Sequence, residues 1–259
     1  MIIYVLLILL ITIIIQNIID YRECNKKLKN DNKISIIVPF IKRDHKFLNK
    51  CLNEQRKQTL IAYEIIIAGQ IPSDEEINKI LYKYSDLNII FIDTTNKTYA
   101  GVNRNIGAIK STGDIYLFTD VDDIYHYQRN EIIQYTFDRF NPLFVGHQYQ
   151  KNDNNFRNIK IDNLKYKYMD EAYDYTFNET RKAPFSIRSS SGLIHNGHIA
   201  VHKDVFKKFG HRYLDLEKGQ DSDFNSRLLR KLFYLNYSKE SFIIVTEDLS
   251  YYIPNDYQI

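Results

Sequence analysis

The chain has 259 residues, of which 44% are hydrophobic and 26% charged, as in an ordinary globular protein. This length can bury a substantial core, and we interpret the patterned part of the chain as one domain. The formal net charge of +3 is too small to indicate a nucleic-acid-binding protein. The two cysteines, Cys24 and Cys51, provide neither a disulfide framework nor a metal-binding spacing.

The first segment is strongly apolar. As a helix, residues 2–19 would span about 27 Å, which is enough to cross the hydrocarbon core of a bilayer. They lack the positive start and the small-residue cleavage site of a signal peptide, so we predict a retained transmembrane anchor at 1–19. A buried core helix is the alternative, although the segment has no polar face.

A polar stretch follows the anchor. Residues 20–33 are rich in Asn and Lys, which is typical of a flexible tether. The five basic residues in this stretch, with none before the anchor, favour a cytoplasmic location for the rest of the chain. The type II, lumenal orientation is the alternative.

From residue 34 onwards strand and helix patterns alternate. Apolar runs and helical spacing predict strands at 34–39, 63–68, 88–93 and 115–118, and helices at 44–58, 74–85 and 99–110. Such alternation predicts a right-handed β-α-β arrangement with a parallel sheet, whose ligands bind at the carboxyl ends of the strands.

The pattern is weaker beyond Pro142. Residues 148–190 mix charges with aromatic side chains, which we interpret mainly as packing residues of a long insertion and less as a surface that stacks on a sugar. Regular patterns predict helices at 131–140, 203–209 and 221–233, and strands at 192–201 and 242–246.

Three carboxylates follow the strand at 115–118. Asp120, Asp122 and Asp123 lie within four positions, where like charges repel unless a cation or hydrogen-bond donors compensate them. Hard oxygen ligands indicate magnesium or manganese. A solvated acidic turn is the alternative, because Asp is favoured in turns.

Three stretches together resemble the family 2 glycosyltransferases. They are the strand at 35–40, the Arg-Asn-x-Gly pattern at 104–107 with Asp-x-Asp at 120–122, and Gln-Asp-x-Asp-Phe at 220–224. The resemblance spans about residues 34 to 230 and implies a GT-A fold, an α/β fold with a mixed, mainly parallel sheet flanked by helices. It divides the domain at 34–259 into a nucleotide-binding half at 34–123 and an acceptor half at 124–259.

The resemblance also implies an activity and its site residues. The expected enzyme is a membrane-anchored, metal-dependent, inverting hexosyltransferase that uses a nucleotide-sugar donor and a glycan, lipid-linked or protein acceptor. Asp122 would bind Mn²⁺ or Mg²⁺, and Asp120 would contact the ribose or share the metal. Pro39 would lie on the nucleotide-binding strand, and Arg104 would lie near the phosphates or pair with an aspartate. Asp221 would be the general base, or else a helix cap.

The sequence departs from the family pattern at two positions. Where the family usually has Asp-Asp-Gly-Ser after the second strand, this chain has Gly69 and Gln70, so the donor nucleobase is not specified. Gln220 replaces the usual Glu. We interpret the three histidines at 195, 198 and 202 as structural.

Two other functions remain open from the sequence. One is a non-catalytic protein of the same fold that binds a nucleotide or a sugar. The other is a phosphatase of the haloacid dehalogenase type, which would carry its Asp-x-Asp motif on the first strand, whereas here the motif follows the fourth predicted strand.

Overall fold

A nine-stranded mixed sheet organises the part of the chain that the computed structural model describes. The described residues are 32–41, 44–94, 99–150, 156–174, 188–189 and 192–251. The predicted anchor and all but the last two residues of the predicted tether lie outside them. Within the described ranges, no helix is long and apolar enough to cross a membrane.

The first half alternates strands and helices as predicted. Its elements are β1 (Ile34–Phe40), α1 (His45–Arg56), β2 (Glu64–Gly69), α2 (Asp74–Lys83), β3 (Ile89–Asp93), α3 (Ala100–Lys110) and β4 (Ile115–Phe118). Every residue of β1, β2 and β4 is buried, as expected for strands that are covered on both faces. Because β1 pairs in parallel with both β2 and β4, the carboxyl ends of these three strands lie at one edge of the sheet.

The second half contains more and shorter elements. They are β5 (Ile124–Tyr125), α4 (Arg129–Phe140), β6 (Phe144–Gln150), β7 (Tyr166–Lys167), α5 (Met169–Tyr173), β8 (Arg188–Ser189), β9 (Gly192–Leu193), β10 (Ile199–His202), α6 (Lys203–Lys207), α7 (Gln220–Tyr234) and β11 (Phe242–Tyr251). Short 3₁₀ turns occur at Ile161–Asn163, Asn196–His198 and Lys239–Ser241.

The strands of the large sheet follow the order β3-β2-β1-β4-β10-β6-β11-β5, with β7 paired to β11. β10 is antiparallel to both of its neighbours, β4 and β6. The mixed, GT-A-like α/β sheet is therefore confirmed: β1 to β4 form the parallel part that the β-α-β pattern predicts, and the antiparallel pairs lie beyond β4. The direction of β10 follows from its approach, since the chain reaches it from the edge where β4 ends.

Helices cover both faces of the sheet. On one face, α1 and α4 pack against alternate residues of β1 and β2, with Leu52 and Ile132 fully buried. On the other face, α3 packs against β1 and β2, and α6 and α7 belong to the same apolar cluster as β4, with Phe206 and Leu228 fully buried. The two apolar layers leave the strand ends as the place where polar side chains can gather.

The predicted strand at 192–201 is wrong in its middle. A 3₁₀ turn at Asn196–His198 separates β9 from β10, and it is closed by the hydrogen bond from the His198 N–H to the His195 carbonyl, 3.0 Å. Strand β6 was not predicted, because two buried polar residues, His147 and Gln148, interrupt its apolar pattern.

Two aromatic side chains of the predicted insertion, Tyr149 and Tyr173, pack within the part of the chain that the structure describes. Tyr149 is fully buried, and Tyr173 stacks on Phe233 with ring centroids 3.7 Å apart. The burial of Tyr149 and the stacking of Tyr173 agree with the interpretation of these aromatic side chains as packing residues.

Candidate active site

A cavity of about 640 Å³ lies where β1, β2 and β4 end. Its walls come from these strand ends, from the start of α3 and from the loop before α7. The lining residues include Pro39, Phe40, Asp44, Gln70, Tyr99, Asn103, Arg104, Asp120, Asp122, Glu217 and Gln220. A second cavity of about 290 Å³ shares Arg104, Asp120 and Asp122 with the first and extends to His195 and Asp221. The predicted site residues therefore gather around one continuous opening.

The carboxylate turn, residues 120–123, lines the smaller cavity with all three of its acidic side chains, but only Asp120 and Asp122 also line the larger one. The Asp120 N–H donates to the Tyr125 hydroxyl at 2.7 Å, and that hydroxyl donates to the Asp120 carbonyl at 3.1 Å. Asp122 is half-buried and lines both cavities. Asp123 is buried, and its Oδ2 lies 3.5 Å from Nε2 of His198. Asp120 and Asp122 are thus the carboxylates placed to meet a ligand.

Arg104 pairs with the first of these carboxylates. Its guanidinium lies 2.5 Å from Asp120 Oδ1 and is only 6% exposed. The close packing of α3 on β1 permits this reach, because a Cβ on Gly107 would come within 2.6 Å of Ile37. Burial lowers the pKa of Arg104, but the Asp120 carboxylate raises it above its usual value. Arg104 is therefore a fixed positive charge in the cavity wall.

A second arginine lies beneath the carboxylate turn. The fully buried Arg129 donates to the Phe118 carbonyl at 2.8 Å, to the Thr119 hydroxyl at 3.0 Å and to the Gly197 carbonyl at 2.6 Å. It also donates to His147 Nε2 at 3.0 Å. Burial lowers the pKa of Arg129 to about 10, so the side chain stays charged at neutral pH. This network ties the end of β4 to the 3₁₀ turn before β10.

The 3₁₀ turn approaches the carboxylates closely. A Cβ on Gly197 would lie 2.9 Å from Asp120 Oδ2 and 3.1 Å from the Tyr125 hydroxyl. Both distances are shorter than ordinary van der Waals contact, so a side chain at residue 197 would displace the Asp120 carboxylate. The turn therefore forms a wall directly beside Asp120.

Asp221 lies in the first turn of α7, on the other side of the smaller cavity. Its Oδ2 lies 3.3 Å from His195 Nδ1. Burial raises the pKa of Asp221, but the hydrogen bond with His195 and the charge of Arg104 outweigh this effect, and the pKa lies below its usual value. Asp221 is an ionised carboxylate at neutral pH.

Asp223, two residues further along α7, has a different environment. The Nε–H of Arg227 makes a bifurcated hydrogen bond to its two carboxylate oxygens, at 2.8 and 2.9 Å, and Nη2 of the same guanidinium donates to Oδ2 at 2.5 Å. It does not line either cavity. Of the two acidic residues in the first turn of α7, Asp221 faces the opening and Asp223 is held in an ion pair.

The donor set of the cavity fits a magnesium or manganese ion. Within the described residues, no group of three or more His, Cys, Asp or Glu side chains could by itself hold a metal. However, Mg²⁺ commonly binds through only one or two carboxylates, with substrate phosphates and water completing its coordination. Asp120 and Asp122 are two such carboxylates, and both face the larger cavity.

Comparison with known families agrees with this geometry. The sequence profile described as glycosyl transferase family 2 matches residues 35–209, which is more than half of the chain. The protein belongs to glycosyltransferase family 2. Among curated protein sequences, none matches the chain. Because this family 2 chain carries its Asp-x-Asp motif after β4, the phosphatase alternative loses its support.

Solved structures share the fold of this family 2 glycosyltransferase. TarS 1-349 from S. aureus in complex with UDP-GlcNAc aligns with a TM-score of 0.62 and 15% identity, over 86% of this chain and 59% of that one. The mannosyltransferase PcManGT from Pyrobaculum calidifontis in complex with GDP-Man and Mn²⁺ gives 0.51 and 13%, over 88% and 63%. This chain spans about three fifths of the length of those two structures.

One histidine lies closer to the candidate site than the sequence indicated. We interpreted His195 as structural, yet it lines the smaller cavity and contacts Asp221. The register explains its position. Since β10 is antiparallel to β4, with His202 opposite Ile115 and Ala200 opposite Leu117, each step back along β10 is a step forward along β4. Residues a few positions before β10 therefore reach the level of the carboxylate turn, a relation that only the strand order reveals.

Proposed function

We propose that this chain transfers a sugar from a nucleotide-sugar donor to an acceptor hydroxyl with inversion at the anomeric carbon. The observation that carries the proposal is the arrangement of charges around one opening. A fixed arginine and two carboxylates lie on the strand side, and an ionised carboxylate, Asp221, lies on the α7 side. Such an arrangement suits a reaction that needs a stabilised leaving group and a proton acceptor.

The strand side of the cavity suits the donor. A nucleotide-sugar carries a diphosphate whose negative charge increases as the glycosidic bond breaks. Arg104 is placed to neutralise part of that charge, and Pro39 lies in the wall at the end of β1. Asp120 and Asp122 would hold Mn²⁺ or Mg²⁺, and such an ion, when bound, stabilises the negative charge of the leaving group.

The α7 side suits the acceptor. Asp221 would take the proton of the acceptor hydroxyl while the hydroxyl oxygen forms a bond to the anomeric carbon. The bond between that carbon and the phosphate oxygen breaks, and its electron pair leaves with the nucleoside diphosphate. Attack from the side opposite the leaving group inverts the anomeric carbon. The lowered pKa of Asp221 keeps it ionised and ready to accept a proton at neutral pH.

The donor nucleobase is a narrower question within this proposal. Gln70 lines the cavity at the end of β2, where the family usually has an aspartate. An amide offers both a donor and an acceptor, whereas a carboxylate only accepts. We therefore propose no single nucleobase for this chain; uracil and guanine are the first to test, because the two aligned structures contain UDP-GlcNAc and GDP-Man.

We also propose that the chain is held at a membrane through residues 1–19, with the catalytic part in the cytoplasm. The apolar run and the basic residues after it support this orientation. In a eukaryotic cell, the sequons at Asn96, Asn178 and Asn236 should then stay unmodified. Glycan on any of them would place the domain in the lumen.

The test of the catalytic proposal is donor turnover. The full chain is incubated with a panel of nucleotide-sugars, with and without manganese, and release of nucleoside diphosphate is measured. We expect metal-dependent turnover with at least one donor and its loss in Asp122→Asn, which keeps the size of the side chain and removes a ligand charge. Tight binding of nucleotide-sugars without any turnover would instead identify a non-catalytic binding protein. Unchanged metal-dependent binding in Asp122→Asn would disprove the metal assignment.

A further inference from the structure

His195 is held at the active site by contacts on both sides of its backbone. On one side, the carbonyl of Ile194 accepts a hydrogen bond from Asn225, a residue of α7, at 3.3 Å. On the other side, the carbonyl of Gly197 accepts from the buried Arg129 at 2.6 Å. Since α4 and α7 both belong to the packed core, this short segment is fixed relative to the helix that carries Asp221.

The ring of His195 is also oriented by its neighbours. It lies edge-on to the ring of Tyr149, with centroids 5.6 Å apart and planes at 63°, and to the ring of His198, at 5.6 Å and 82°. Tyr149 and His198 are both buried. The imidazole is therefore packed on its inner side while its Nδ1 faces Oδ2 of Asp221.

We propose that His195 is the positioning residue of the general base: its Nδ1–H donates to one oxygen of Asp221 and leaves the other oxygen to accept the proton of the acceptor hydroxyl. This inference rests on the proposed function. A carboxylate in the first turn of a helix can rotate about its terminal torsion, and a fixed side-chain donor restricts that rotation. The imidazole itself takes no proton from the acceptor.

Several charged groups around Asp221 influence its ionisation and therefore the pH dependence of kcat/KM. Arg104 shares the smaller cavity with Asp221 from α3, Asp120, Asp122 and Asp123 from the carboxylate turn, and Glu217 and Lys218 from the loop before α7. Removing the His195 donor leaves these groups in place and removes a contact that favours the ionised carboxylate. The acidic limb of the kcat/KM profile should then move to higher pH, because the base would be protonated over a wider range.

Two substitutions separate positioning from proton transfer by the ring. His195→Phe keeps the aromatic packing and removes the donor. His195→Asn places an amide N–H near the position of Nδ1 and removes the titratable ring. We expect His195→Phe to lower kcat by ~10- to 100-fold, the usual worth of a hydrogen bond to a charged group, with KM for the donor unchanged. His195→Asn should retain most of the activity, with a kcat no more than about fivefold below the parental value.

Two results would overturn the proposal. Equal losses of kcat in both variants would show that the ring transfers a proton. Parental kcat in His195→Phe would show that the contact with Asp221 has no role.

His202→Asn is the matched control, since His202 caps α6 and lines neither cavity. Donor binding and thermal unfolding of each variant identify any folding defect. If the parental chain turns over no nucleotide-sugar, the proposed function fails as well, whereas an active parent confines the failure to His195.

Discussion

The two sides of the active site are held by different kinds of contact. On the donor side, Asp120 and Asp122 follow β4 directly, and Arg104 lies on a helix packed by apolar contacts on the same sheet. On the acceptor side, Asp221 and His195 are 26 residues apart and are placed by buried polar groups such as Arg129 and Asn225. Apolar packing thus positions the residues of the first side, and a buried polar network positions those of the second. We expect the acceptor side to be the more sensitive to charge and pH.

The largest expected effect is on the acceptor side. Asp221→Asn removes the basicity of the carboxylate while keeping its size, so transfer should fall by roughly 10² to 10⁴, the usual worth of a positioned base. Binding of the donor should survive, because Arg104, Asp120 and Asp122 are untouched. Steady-state kinetics together with nucleotide binding test this expectation. Transfer at the parental rate would show that the proton acceptor lies elsewhere.

The same contrast explains what the sequence could predict. β1, β2 and β4 are buried along their whole length, and the apolar runs in the sequence predict all three strands. β6 was missed, because His147 is buried there through its contact with Arg129, which is 18 residues away in sequence. His195 was missed for a related reason: its approach to Asp221 depends on the antiparallel insertion of β10 beside β4. Local patterns predicted the donor side, and contacts between distant residues determine the acceptor side.

Acid should unfold the protein from its second half, residues 124–259, where buried histidines lie. Burial lowers the pKa of His211 to about 4, and burial holds the pKa values of His147 and His198 well below their usual range. Above pH 6.5 these rings are neutral in both the folded and the unfolded chain. Between about pH 6.5 and pH 4 the unfolded chain binds protons that the folded chain does not. Each histidine then lowers the free energy of unfolding by about 1.4 kcal/mol per pH unit.

Two measurements test the acid prediction. Urea unfolding at pH 7 and pH 5 should show a large loss of stability at the lower pH. Amide hydrogen exchange at pH 5 should show that protection of β6 and β10 falls before that of β1 and β2. Equal protection of both halves, or equal stability at the two pH values, would contradict the assignment of a buried neutral histidine network.

A smaller effect is expected from the arginine beneath the carboxylate turn. Arg129→Met fills a similar volume but leaves the carbonyls of Phe118 and Gly197 and the side chains of Thr119 and His147 without their donor. We expect a loss of about 3 kcal/mol in the free energy of unfolding, because buried polar groups that lose their partners are costly. Arg129→Lys keeps the charge and restores part of the contacts, so its loss should be smaller. Denaturant unfolding of both variants measures the difference, and equal stabilities of parent and Met variant would argue against a structural role for the network.

The smallest effect is expected from Asp223→Asn, which tests whether Asp221 is the base. Asp223→Asn is the matched control for Asp221→Asn, because both residues lie in the first turn of α7 and both substitutions lose the same favourable interaction of a carboxylate with the helix N-terminus. Asp223 is bound by Arg227 and faces neither cavity. Its replacement should lower the free energy of unfolding by about 1 kcal/mol, since the ion pair is partly exposed.

Transfer by Asp223→Asn should stay within about threefold of the parental rate, which corresponds to less than 1 kcal/mol of activation free energy. The two variants therefore differ in the rate of transfer: Asp221→Asn lowers it by orders of magnitude, whereas Asp223→Asn leaves it nearly unchanged and loses only the ion pair with Arg227. The reverse result, an inactive Asp223→Asn beside an active Asp221→Asn, would place the base two residues further along the helix. In that case the ion pair with Arg227 would have to open before the acceptor binds, because three hydrogen bonds from one guanidinium occupy both oxygens of Asp223.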